Sequence, residues 1–210
     1  SGQFDPDYPP LCFCCDDNRD QGGIVIWCHN GKGMEAPVAA ALGKLDAFNL
    51  FDPFWADPEY EIWYHLLNCG IDLPASTGTD WFVCSNNRVY INTSAEFSYA
   101  SWIDGMKAGR TFITNGPALD LKLNDQPLGS TVELTGGGEL EAEVTFHSHY
   151  PVERLELIVD GQPIQDWEWP EGRREGEIRH PLRVERAGWI AARLWGDAPD
   201  SFGHSIYAHT

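Results

Sequence analysis

The sequence has no run approaching the roughly 18 consecutive apolar residues of a membrane-spanning helix, so membrane insertion is not expected. Basic charge is scarce: 14 Lys and Arg stand against 32 Asp and Glu, a formal net charge of −18. Nucleic-acid binding needs a basic patch to displace counterions from phosphates. The one adjacent basic pair, Arg173-Arg174, is hemmed in by Glu171, Glu175 and Glu177, so nucleic acid is not an expected partner. Six cysteines occur: Cys12, Cys14 and Cys15 cluster as C-x-C-C, and Cys28, Cys69 and Cys84 stand alone, so there is no second cysteine pair to complete a paired C-x-x-C arrangement. That is not zinc-site spacing. A disulfide framework ordinarily serves a much smaller domain, so buried or free thiols are expected.

What is present is core-forming material. The chain has 210 residues, 42% hydrophobic and 12% aromatic with nine Trp, enough for one large domain or two ordinary ones. In GGIVIWCHNGK (22–32), the apolar run Ile24 to Trp27 stops at Cys28-His29-Asn30-Gly31. A short β-branched run bounded by glycines reads as a strand buried on both faces, as in a parallel sheet, and places His29 at its carboxyl end. Residues 35–44 read as a short Ala-rich helix closed by Gly43, and 45–51 as a second strand. Asp57-Pro58-Glu59 starts a helix whose apolar stripe is Ile62, Trp63, Leu66 and Leu67, with Gly70 as its cap. A third strand over 72–76 runs into Thr77-Gly78-Thr79-Asp80; 88–92 reads as a strand, 98–109 as a helix and 110–115 as a strand. Leu11 to Cys15 fits a strand or a first helical turn. Strands alternating with helices over this length predict a parallel α/β unit.

Near residue 118 the period changes. ALDLKLNDQP, STVELTGGG, ELEAEVTFHS, ERLELIVDGQP, HPLRVERAG and WIAARLWG alternate polar and apolar residues, with turn signals between and no helical pattern. They predict an antiparallel β-sandwich of immunoglobulin-like size, with Val159-Asp160-Gly161-Gln162 as the strongest hairpin signal. Charge does not mark the boundary: residues 1–118 carry six basic and fifteen acidic side chains, and residues 119–210 eight and seventeen. The expected organisation is therefore α/β over 1–118 and all-β over 119–210.

At GGIVIWCHNGKGMEAPVAAALGKLDAF, LPASTGTDWF, NNRVY and AGRTFITNGP the first half resembles the PHP superfamily. Within it the chain is similar to the CehA/McbA-type metallohydrolases, named for carbamate-ester hydrolysis. The second half resembles the β-sandwich that follows the barrel in many of them, with PVERLELIVDG as its most typical phrase. The resemblance implies the C-terminal portion of a PHP-type (β/α) barrel over 1–118 and a sandwich over 119–210. It further implies a divalent metal (Zn, Mn or Fe) at the strand carboxyl ends, with His29 and Asp80 as ligands. Two departures stand out. Many members carry Asp-x-His at the late position, where this chain has Asp80-Trp81-Phe82; the early His-x-His strand has no counterpart. A C-terminal fragment is the expected reading, its partner being the missing N-terminal part of the same protein.

Each candidate also has an ordinary reading. His29 suits a metal ligand because neutral imidazole binds divalent metals from a rigid strand end; it also suits a strand terminus without one. Asp80 is a ligand or a turn or helix cap. A third ligand, which catalytic zinc sites require, would come from His209 or His204 if the tail returns to the barrel mouth, against an exposed sandwich position. Lys32 or Arg88 would suit an oxyanion. Trp81, Phe82 and Asn115 are candidates for substrate contact, against core, core and capping roles. His147, His149 and Glu153 form a further cluster, read as an exposed strand end. Two functions follow: a fragment of a metal-dependent hydrolase whose activated water attacks an ester, amide or phosphoester in a small-molecule substrate; or a non-catalytic module with a degenerate metal site, its sandwich contacting glycan or protein. Trp167-x-Trp169 is the one hint of a glycan platform.

Overall fold

Three short strands open the fold in the computed structural model, which describes residues 11–28, 35–50, 60–79, 85–93 and 96–210. They are β1 (Ile26–Trp27), β2 (Ala47–Asn49) and β3 (Ala75–Ser76), in the order β1-β2-β3 and parallel throughout. Parallel neighbours need a crossover, and helices supply it here. Helix α2 (Ala36–Ala41) is Ala-rich with Pro at its start; Gly43 leaves it at φ +65°. Helix α3 (Glu61–Asn68) buries Trp63, Tyr64 and Leu66, and Gly70 follows at φ +77°. The ambiguous stretch at Leu11 is helical: α1 (Leu11–Asp20) sets Cys15 into the core and is tied down by Arg19–Asp46 at 2.7 Å and by Lys44–Asp16.

The parallel unit ends there. Strands β4 (Arg88–Ile91) and β5 (Thr111–Thr114), expected to continue it, pair antiparallel with each other and belong to the larger sheet. Between them lies α4 (Tyr99–Lys107), started by a reciprocal cap between Ser98 and Ser101. Beyond β5 come β6 (Ala118–Leu123), β7 (Gly138–Val159), β8 (Gln162–Val184), β9 (Ile190–Pro199) and β10 (Ser205–His209). The order is β4-β5-β10-β9-β7-β6, with β8 on β7 and these contacts antiparallel. Helices and strands are mixed, and most of the strand content is antiparallel.

Strands β7 and β8 form one long ribbon. Asp160 and Gly161 at its tip have φ of 51° and 84°, the doubly positive pattern of a tight hairpin turn. The early half of β7 (142–147) pairs with β6 and its late half (154–159) with β9, with the register broken between His147 and Val152. The ribbon bends at that break and curls the sheet over itself. Leu119, Leu121, Val144, Phe146, Leu155, Leu157, Leu182 and Leu194 then share one core, each such burial contributing roughly 1.5–3 kcal/mol. ELEAEVTFHS and ERLELIV are thus parts of one strand, while the stretch 130–137 forms no strand and packs Val132 and Leu134 against the core.

The other face of the same sheet covers the α/β part. Ile113, Ile158 and Tyr207 join Phe48, Leu50, Trp63 and Leu73 in a second core, while neighbouring Leu157 and Ala208 face the first. Alternation along β7 and β10 makes these strands a wall shared by both cores. Residues 111 and 75 meet across the two sheets, the Thr111 hydroxyl donating to the Ala75 carbonyl at 3.3 Å.

Candidate functional site

Parallel pairing puts the carboxyl ends of β1, β2 and β3 on one edge, at Trp27, Asn49 and Ser76. In open parallel sheets that edge is where ligands bind. The large sheet adds to the same rim. Tyr207 of β10 donates its backbone N–H to the Asn115 amide oxygen at 2.7 Å, and its hydroxyl to the Asn87 amide oxygen at 3.2 Å. Its phenol is also hydrogen-bonded to Thr77, the first residue beyond β3. Burial drives the phenol well above its usual range, against the lowering effect of the Thr77 bond, so it stays a neutral donor. One tyrosine thus pins three loops to the rim.

Asn115 is 2% exposed, and its Nδ2 donates to Asp200 Oδ2 at 3.1 Å and to the Ser205 carbonyl at 3.0 Å. Both its amide hydrogens are committed inside the protein. Asp200 also accepts from the backbone N–H groups of Phe202 (2.8 Å) and His204 (3.0 Å), which closes the β9–β10 loop. The His204 imidazole Nδ1 lies 3.6 Å from the same carboxylate. Arg88, on β4, donates through Nη1 to the carbonyls of Ser85 and Asn87, both at 2.7 Å, and braces the loop that carries Asn87.

His209 lies away from any surface. The tail does return, as β10 against β5, but His209 is 0% exposed rather than on the sandwich exterior. Its Nδ1 is 2.7 Å from the Thr210 main-chain oxygen and its Nε2 2.6 Å from the Tyr64 hydroxyl. A main-chain oxygen only accepts, so Nδ1 carries the hydrogen and the Nε2 lone pair takes the Tyr64 proton. Desolvation lowers the imidazole pKa to about 3, and desolvation raises Tyr64 to about 12 despite the nearby Arg193. With both nitrogens occupied, His209 presents no lone pair to a metal.

His29, Lys32, Asp80, Trp81 and Phe82 lie outside the described residues. Among the described residues no group of three or more His, Cys, Asp or Glu is arranged to hold a metal. His147 and His149 are exposed on β7. Cys12, Cys14, Cys15, Cys28 and Cys69 are free thiols. Trp167 and Trp169 are half-buried against the core of the curled sheet. The rim residues without a motif to announce them are Tyr207 and Asp200; only the alternation of Tyr207 with Ala208 hints that it faces inward. Comparison of the chain with protein-family models, with curated proteins and with solved structures returns no match.

Proposed function

We propose that this chain is part of a metal-dependent hydrolase of the PHP type, with its site at the carboxyl-end rim of β1, β2 and β3. The supporting observation is the convergence of those strand ends: residue 28 and residues 77–79 leave the sheet on one edge, and His29 and Asp80 come next in the chain. In this reading His29 and Asp80 hold a Zn, Mn or Fe ion, which when bound supplies an activated water for attack on an ester, amide or phosphoester. The protein's own contribution is the frame: Tyr207, Asn115 and Asp200 fix the loops around the rim by hydrogen bonds within a buried wall. In this reading the three parallel strands, which end at Ser76, belong to the barrel portion, and the curled antiparallel sheet, which also takes in β4 and β5 from before residue 118, corresponds to the sandwich. β1 has no strand on its outer side among the described residues. An upstream strand carrying the remaining ligands is the partner that would cover that edge.

The second reading is a non-catalytic module with a degenerate metal site, favoured by Phe82 where the family pattern has histidine. Hydrolysis of p-nitrophenyl acetate, p-nitroacetanilide and bis(p-nitrophenyl) phosphate by metal-loaded protein separates the two. The hydrolase reading expects turnover that chelator removes and that His29→Ala and Asp80→Ala abolish. Turnover unchanged in both variants, or none under any metal, favours the module.

A further inference from the structure

We propose that the side-chain amide of Asn87 donates a hydrogen bond to an anionic oxygen, carboxylate or phosphoryl, of the molecule bound at this rim. Asn87 is 2% exposed, and its Nδ2 has no hydrogen-bond partner. A buried donor left unmade bears its full desolvation cost, so such groups are kept where something else fills the role. Other buried unpaired donors, Arg19 Nε and Arg154 Nε, belong to guanidinium groups whose other nitrogens are engaged. Asn87 Nδ2 brings two hydrogens and uses neither.

Its direction is fixed. Asn87 Oδ1 is held by the Tyr207 hydroxyl, which also bonds Thr77 beyond β3. The amide head is therefore anchored through its oxygen next to the Tyr207–Thr77 contact, and the position of the enclosed Nδ2 follows from that of Oδ1. The loop beneath is clamped by Arg88 Nη1 on the Ser85 and Asn87 carbonyls. That guanidinium, held on the Asn87 main-chain carbonyl, carries a permanent positive charge in the same loop, which favours an anionic oxygen over a neutral one. Asn115 has no hydrogen left to offer. A second unpaired atom belongs to the same edge: Asn49 Oδ1 at the end of β2, whose amide lies against Gly78. It would accept from a hydroxyl or N–H of the same ligand. This inference rests on the proposed site at the rim but not on metal chemistry.

The test is titration of the isotope-labelled protein with sodium phosphate and, separately, sodium acetate, following side-chain amide resonances. Asn87→Asp assigns the Asn87 signal by deleting it; it keeps an oxygen for Tyr207, and unchanged thermal unfolding of that variant shows the frame intact. The expected result is a saturable shift of the Asn87 amide signal and at least about 10-fold weaker binding in Asn87→Asp. A shift with phosphate alone assigns a phosphoryl ligand, and with acetate alone a carboxylate. No shift with either ion, or undiminished affinity in Asn87→Asp, overturns the proposal. Binding without turnover on the chromogenic substrates would remove the hydrolase reading and leave Asn87 standing; turnover of the anionic bis(p-nitrophenyl) phosphate unaffected by Asn87→Asp would do the reverse.

Discussion

Tyr64 Oη and His209 Nε2, 145 positions apart in the chain, lie 2.6 Å apart between α3 and the shared wall. The rings of Tyr60 (4.8 Å) and Trp63 (5.1 Å) close around the imidazole. Burial holds its pKa at about 3, against about 6.5 when unfolded. Between those values the unfolded chain carries the extra proton. The His209 contribution to stability is therefore complete above pH 6.5 and is lost as pH falls toward 3, at up to about 1.4 kcal/mol per pH unit. Denaturant midpoints from pH 7.5 to 4.5 should fall more steeply for the wild type than for His209→Gln. Parallel curves would show that this histidine is not buried neutral.

Glu156 carries the same wall electrostatically. It is 3% exposed, with Arg193 Nε at 2.6 Å and Arg154 Nη2 at 2.9 Å. Arg193 stacks over Tyr60 at 5.4 Å and reaches the Tyr64 hydroxyl at 3.4 Å. Deleting the carboxylate leaves the largely desolvated Arg193 without its carboxylate partner, while Arg154 keeps Asp166 and Glu168, so Glu156→Ala should cost about 3 kcal/mol or more. Glu177→Ala, whose side chain is 63% exposed beside Arg179, should cost under about 1 kcal/mol. Urea unfolding of both variants checks the contrast.

Gly105 offers a test by sign. It lies inside α4, where alanine ordinarily stabilises by about 1 kcal/mol. A Cβ there would run into Ile91 Cγ2 of β4. Gly105→Ala should therefore lower the melting temperature, and Ile91→Ala in the same chain should recover part of the loss. A rise in Gly105→Ala alone would mean that α4 does not pack on β4 in this way.

Where sequence and structure agree, the signal is local. The Asp160-Gly161 turn follows from residues that tolerate positive φ, and α3 from apolar positions at helical spacing. The parallel pairing of β1 to β3 follows from apolar runs separated by helices. Agreement ends where partners are remote. Nothing in RVYIN or RTFITN distinguishes a parallel from an antiparallel neighbour, because direction is set by β10, about 90 residues later. The sequence break between ELEAEVTFHS and ERLELIVDGQP is a bend within one strand, since His147 to Val152 shift register without ending the ladder. The stretch 130–137 alternates like a strand yet finds no partner and serves as a lid. The rim is legible in the sequence at Arg88 and Asn115 but not at Tyr207, whose role depends on three loops meeting.

Metal uptake bears most directly on the central claim. The purified protein is equilibrated with Zn, Mn or Fe, desalted and analysed for metal beside His29→Ala and Asp80→Ala. The account predicts retention near one ion per chain in the wild type and loss in both variants. Equal metal in all three proteins, or no retention above background in the wild type, would contradict a site built on those residues.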